Sequence, residues 1–356
     1  MSPRASCGTN SERTPRGIMM FKKFVLAATL CSAAFATNAQ TTLRIHSFSA
    51  PQALDQTKHL NPWAEKVMKE SGGKLKVEVY PNMQLGGKPS DLPQQLEDGV
   101  VDIIWTVAGF TPGRFPGLEG VELPFMNTGL SATQSPAVME FAQKHLLTNE
   151  FKGIRIISIH TTDAAVLHSK NKPFKSLEDW KGQKVRVAGR FIGEMVKAFG
   201  GTPVGIPLGG VYEALERGQV DAMLINWAIT QPYRFYEVTK HHTNNALFQG
   251  TLLTLMSQKS YDKLPADMKK VIDNNSGIEY AKYIGEVWDT TTGPAIEATR
   301  NNKNNVFTLT PEELARWRAA AEPVYKIWIG EMNKLGRNGQ QMFDDLNAIT
   351  AKYGRK

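Results

Sequence analysis

A two-lobed α/β fold, each lobe a mostly parallel sheet flanked by helices, is what this sequence predicts. Three observations carry that expectation. Strand and helix patterns alternate along the chain, 356 residues suffice for two separate hydrophobic cores, and no flexible linker divides them. A chain that builds two lobes without a linker crosses between them on regular elements, more than once, and bends where it crosses. With 41% hydrophobic and 21% charged residues, the composition is that of an ordinary globular protein.

A leader precedes the fold. Lys22 and Lys23 stand before an apolar run at 24–36, with small residues at Thr37 and Ala39, which is the pattern of a secretory signal peptide cleaved after Ala39. The run is shorter than the roughly 20 residues a membrane-spanning helix needs, and no later stretch reaches that length. The mature product is therefore expected in the periplasm and not embedded in a membrane. Cys7 and Cys31 both fall in the removed segment, and Leu30 is too large for lipoprotein processing at Cys31. Net charge is +8, and removing Arg4, Arg13, Arg16, Lys22, Lys23 and Glu12 with the leader leaves +4. With no Lys/Arg tract interleaved with aromatics, nucleic acid is not an expected partner.

Each element has a local reason. Residues 43–48 form a short apolar strand, and Leu60, Trp63, Ala64, Val67 and Met68 fall on one face of a helix that Ser71-Gly-Gly73 stops. In 74–80, Leu75, Val77 and Val79 alternate with charged residues, a half-buried strand. A helix at 90–98 leads through Gly99 into a strand at 100–105. Strands at 153–160, 184–187 and 220–225 follow, separated by helices at 192–199 and 211–217 and by a short one opened by the Ser176 to Asp179 capping box. Strand, helix and parallel strand in succession predict a mostly parallel sheet. Thr310-Pro-Glu-Glu313 opens a long helix through Ala321, which Pro323 is expected to kink.

Catalytic signatures are missing from the mature sequence: it has no phosphate loop, no Gly-x-Ser-x-Gly, no His-Glu-x-x-His and no cysteine nucleophile. Neither a metal nor a cofactor is expected. His241 and His242, adjacent in sequence, diverge on any regular element and read as loop or surface residues. No acid pair sits isolated in an apolar segment as a tuned general acid and base would. In 184–187, Val185 and Val187 share one strand face and Arg186 takes the other. There it is either a surface charge or a planar guanidinium placed for a carboxylate.

Over nearly its whole mature length the sequence resembles the substrate-binding subunits of TRAP transporters, the tripartite ATP-independent periplasmic transporters of the DctP type. The matching stretches are Glu78-Val-Tyr-Pro-Asn-Met-Gln-Leu-Gly-Gly87, Trp105-Thr-Val-Ala-Gly-Phe-Thr-Pro-Gly-Arg-Phe-Pro116, Glu122-Leu-Pro-Phe125, Lys181-Gly-Gln-Lys-Val-Arg-Val187, Val211-Tyr-Glu-Ala-Leu-Glu-Arg-Gly-Gln-Val-Asp-Ala222 and Phe235-Tyr-Glu-Val-Thr-Lys240. The resemblance implies a periplasmic-binding-protein clamshell with a long helix spanning both lobes. It also implies capture of a small organic acid and delivery to integral membrane subunits driven by an ion gradient. The implied division is 1–39 as N-terminal extension and signal peptide, 40–163 with 251–290 as lobe I, 164–250 with 291–330 as lobe II, and 331–356 as a C-terminal helical segment, in a monomer.

Carried over position by position, Arg186 matches the arginine that holds the substrate carboxylate. The second arginine of sialic-acid-binding relatives falls on Val166, which argues against sialic acid. The family's asparagine is displaced by one to Asn226. Trp105, Phe110, Arg190 and Trp227 resemble a subgroup with an aromatic cleft, and Phe48 ends the first strand where the cleft should be. Trp105 and Trp227 have lobe core as their alternative, and Arg190 has pairing with a neighbouring acid. The expected ligand is a monocarboxylate with a hydrophobic or aromatic tail, an oxo or hydroxy acid. The clamshell alone is also compatible with a binding protein for an ATP-driven importer or a periplasmic sensor, and a periplasmic enzyme is the third class.

Overall fold

The computed structural model describes residues 40–354, so the expected leader with both cysteines, and the last two residues of the C-terminal segment, lie outside the described residues. Two sheets organise the rest. The first is five-stranded in the order β2-β1-β3-β10-β4, with β1 Thr41–Ser47, β2 Leu75–Tyr80, β3 Ile103–Val107, β4 Ile154–Thr161 and β10 Thr251–Ser257. The second is six-stranded in the order β11-β9-β5-β8-β6-β7, with β5 Ala165–Ser169, β6 Lys184–Val187, β7 Thr202–Gly205, β8 Ala222–Asn226, β9 His241–Phe248 and β11 Asn305–Phe307.

In each sheet every strand runs one way except one. The exceptions are β10, antiparallel to β3 and β4, and β5, antiparallel to β8 and β9. The cause is the way the chain crosses. β4 runs with its own sheet and passes through residues 162–164 straight into β5, while β9 passes through 249–250 straight into β10, so each enters the far sheet against its direction. The crossings lie side by side: Thr162 N donates to Gly250 O at 2.9 Å, and Gln249 Nε2 donates to Thr162 O at 2.7 Å. Helices cover both faces of the sheets, which is why β3, β8 and β10 are buried along nearly their whole length.

Six helices position the site: α1 Asn61–Glu70, α2 Ser131–His145, α3 Arg190–Ala198, α4 Ile278–Asn301, α5 Pro311–Lys334 and α6 Gly339–Gly354. α4, 24 residues long, packs on α2 and β4 of the first lobe and on β11 of the second, so it spans both. At Gly285 it lies so close to α2 that a Cβ would overlap the Ser131 carbonyl. That approach lets Asp289 accept from the N–H groups of Ser131 and Ala132 at 2.8 and 2.9 Å, two donors that a helix N-terminus leaves unsatisfied. α5 begins as expected, with Thr310 Oγ1 accepting from Glu313 N at 3.3 Å. It then continues through Pro323 to Lys334, since packing against α3 and α6 outweighs one lost backbone bond. The Ser176 capping box is present, but it opens only a single 3₁₀ turn, Leu177–Trp180.

Candidate functional site

A cavity of about 760 Å³ lies between the two sheets, within the range of small-molecule sites. Its walls come from the segments that follow the carboxyl ends of β1, β3, β6 and β8, from Thr162 and Gly250 of the two crossings, and from one side of α4. Open α/β sheets place ligands at those strand ends because loops there are free to vary while the sheet stays fixed.

The wall on the first lobe is aromatic. Phe48 stacks on Trp105 with ring centroids 4.9 Å apart and planes at 20°, and meets Phe110 edge-on at 4.9 Å. Trp105 sits inside β3, so its ring is fixed by the sheet, and its buried Nε1 has no hydrogen-bond acceptor among the described residues. From the second lobe comes Arg186, on β6 between Val204 of β7 and Met223 of β8 and only 4% exposed. Its Nε donates to Ile206 O at 2.9 Å and its Nη1 to Leu224 O at 3.4 Å. Neither partner is an anion, and among the described residues no carboxylate lies within ion-pair distance. Burial lowers its pKa to about 10, yet the group stays charged at neutral pH. A desolvated guanidinium held by neutral carbonyls has unused donors that match a carboxylate.

Asn226, at the end of β8, also lines the cavity. Its Nδ2 donates to Asp163 Oδ1 at 2.5 Å, which fixes the amide. Asp163, in the first crossing, further accepts from Ala228 N at 3.1 Å and Thr292 Oγ1 at 3.2 Å, tying that crossing to β8 and α4. Burial pushes the Asp163 carboxyl up to about 7, against these three bonds. At the second crossing the buried Glu122 accepts from Thr251 N at 2.8 Å, and burial likewise raises it to about 7.

Two expected contacts lie elsewhere. Trp227 is 1% exposed, packs with Val166 and Ala295, meets the His168 ring at 4.8 Å and donates to Asn244 Oδ1 at 3.1 Å. It follows Asn226 directly, and with Asn226 turned to the cavity the next side chain turns away. Arg190, in the first turn of α3, pairs with Glu119 and Glu331 instead of lining the cavity. Val166 is also turned away, and its neighbour Ala165 faces the cavity, because adjacent strand residues point to opposite faces. The missing second arginine at 166 therefore does not shape this cavity, and its apolar wall does. His242 is not a loop or surface residue: it sits on β9, buried, with Nδ1 2.7 Å from Nδ1 of His168. Burial lowers the pKa of both imidazoles.

The buried acids Asp55, Glu122 and Asp163 escaped the sequence reading. A single acid inside Val-Glu-Leu at 121–123 was a signal for Glu122, whereas Asp55 and Asp163 each have polar residues on one side, Gln56-Thr57 and Thr161-Thr162, and give a weaker one.

A family model described as bacterial extracellular solute-binding protein, family 7, matches residues 46–331. A TRAP solute-binding protein from Rhodoferax ferrireducens T118, solved with copurified benzoate, is 37% identical with a TM-score of 0.82, covering 88% of this chain and 98% of its own. A marine metagenome TRAP solute-binding protein described as specific for aromatic acid ligands, solved with 3-hydroxybenzoate, is 38% identical with a TM-score of 0.83, covering 89% of this chain and 99% of its own. The sialic acid-binding periplasmic protein SiaP of Vibrio cholerae is 25% identical over 311 residues, 85% of this chain and 93% of that protein.

Proposed function

The chain belongs to the bacterial extracellular solute-binding proteins of family 7, binding proteins of the TRAP type, and from that premise we propose that it captures a small aromatic monocarboxylate. The protein is exported to the periplasm by removal of residues 1–39, works as a monomer and hands the ligand to the membrane subunits of an ion-gradient-driven transporter. The observation that carries this reading is Arg186, a buried cation without an anionic partner among the described residues, facing a cavity whose other wall is Phe48, Trp105 and Phe110. The guanidinium takes the carboxylate through two parallel hydrogen bonds, and the aromatic wall takes the ring by offset stacking and edge contact. Asn226 supplies its second amide hydrogen from a position held by Asp163. The two relatives above that share 37% and 38% of the sequence hold benzoate and 3-hydroxybenzoate, which supports the ligand class.

The test is a thermal-shift screen of purified protein against aromatic, branched-chain and sugar acids. A ligand at 100 times its Kd stabilises by about 2.7 kcal/mol, which is readily measured. Aromatic acids are expected to raise the melting temperature. Stabilisation by sugar acids alone would sink the proposal.

A further inference from the structure

Among the residues lining the cavity only two carry formal charge, Arg186 from the second lobe and Asp55 from the first. Asp55 follows β1 in the first turn of a helical stretch that runs on through Gln56–Leu60 into α1, and its own backbone is helical, with φ −64° and ψ −33°. Its side chain makes no capping bond to that stretch. Ser49 hydrogen-bonds the carboxyl, but the buried Oδ2 has no partner among the described residues. The residue is 5% exposed, and burial pushes its pKa up to about 6, so folding tolerates an acid there at a cost. A buried acceptor left open is unfavourable until something donates to it.

Resting on the aromatic-acid reading, we infer that Asp55 is a specificity residue that accepts a hydrogen bond from a hydroxyl on the ligand ring, distant from the carboxylate that Arg186 holds. The two groups belong to opposite lobes, so a ligand with a carboxylate at one end and a hydroxyl at the other engages both halves of the cleft. The cavity they share is lined mostly by apolar side chains, which suits a ring, and its few polar groups, Gln52, Gln231, Thr290 and Thr291 among them, are fewer than a polyhydroxylated sugar would need. A site built to bond a hydroxyl also discriminates against the analogue that lacks it, since the protein acceptor is then stranded.

The experiment is calorimetric titration of purified protein with benzoate, 3-hydroxybenzoate, phenylacetate, 3-hydroxyphenylacetate and 3-methoxybenzoate. The wild type is expected to bind each hydroxylated acid at least about tenfold tighter than its parent, and the methoxy acid, which fills the space without donating, no better than benzoate. Asp55→Leu is expected to bring the hydroxyl preference to near unity. Asp55→Asn, which keeps one acceptor oxygen and the side-chain shape, is expected to show an intermediate preference and serves if the leucine variant does not fold. A wild-type preference near unity, or a preference that survives Asp55→Leu, would overturn the role of Asp55 while leaving the aromatic-acid reading standing. Failure of the wild type to bind any of these acids would overturn both.

Discussion

Replacing Arg186 by Met tests whether its buried charge serves the ligand or the fold. In the unliganded protein the substitution removes charge-assisted bonds to two neutral carbonyls, Ile206 O and Leu224 O, at about 1.5–3 kcal/mol each. It also removes a 4% exposed cation without an ion-pair partner among the described residues, whose desolvation costs several kcal/mol. The two effects are of similar size and opposite sign. The melting temperature of the unliganded variant should therefore change little. Binding behaves differently, because two charge-assisted bonds to a carboxylate are worth about 1.5–3 kcal/mol each. Losing both weakens Kd by about 10² to 10⁴-fold. At a ligand concentration 100 times the wild-type Kd, the wild type gains about 2.7 kcal/mol, roughly 5 °C, and the variant gains close to nothing. Differential scanning calorimetry with and without ligand, alongside titration calorimetry, measures both quantities. Arg186→Lys keeps the charge but not the fork, and should lose about ten- to a hundredfold. A methionine variant that loses several kcal/mol of unliganded stability but keeps its affinity would refute the reasoning.

Other expectations concern the scaffold. Arg190→Met strands Glu119, which is nearly buried, and should lower the melting temperature by about 1–3 kcal/mol equivalent while leaving ligand Kd within about twofold; a larger loss of affinity would put Arg190 back in the site. Gly285→Ala should destabilise by about 1–3 kcal/mol despite its better helix propensity, because the added Cβ meets the backbone carbonyl of Ser131, which cannot swing aside; urea unfolding reads this directly. Glu122 has a folded-state pKa raised to about 7 from an ordinary value of 4.5, so the folded protein holds that proton more tightly than the unfolded chain does. Stability contributed by this group is thus present below pH 4.5 and is lost as pH rises toward 7. Glu122→Gln keeps an acceptor for Thr251 N, and the wild-type minus variant stability difference should fall between pH 4.5 and 7; a flat difference would mean the carboxyl titrates normally.

Much of the fold was legible because its causes are local. Period-two alternation in 74–80 and 184–187, helical spacing of Trp63, Ala64 and Val67, and the Thr310 cap each fix backbone conformation from neighbours a few residues away, and the strands and helices form there. Boundaries slipped where a loop continues an apolar run, as at 100–102, which precedes β3. The site was legible in part. Spacing left Arg186 open between a surface charge and a carboxylate anchor, and only the family resemblance pointed it, with Trp105, Phe110 and Asn226, toward a cleft; these four and Phe48 line the cavity. Trp227 and Arg190 were misplaced because a residue's face at a strand end, and the acids that reach it from Glu119 and Glu331, depend on segments far away in sequence.

By itself the sequence determined an α/β chain, a strand arginine without a local partner and an order of motifs that marks a binding protein. These depend on composition and on spacing within a few residues. Only the tertiary structure decided that β4 and β9 exchange lobes side by side, that Asp163 and Glu122 are buried at those crossings, and that Asp55 shares one cavity with Arg186. Burial and opposition of charge are properties of two surfaces brought together over more than a hundred residues of separation, and no local pattern encodes them.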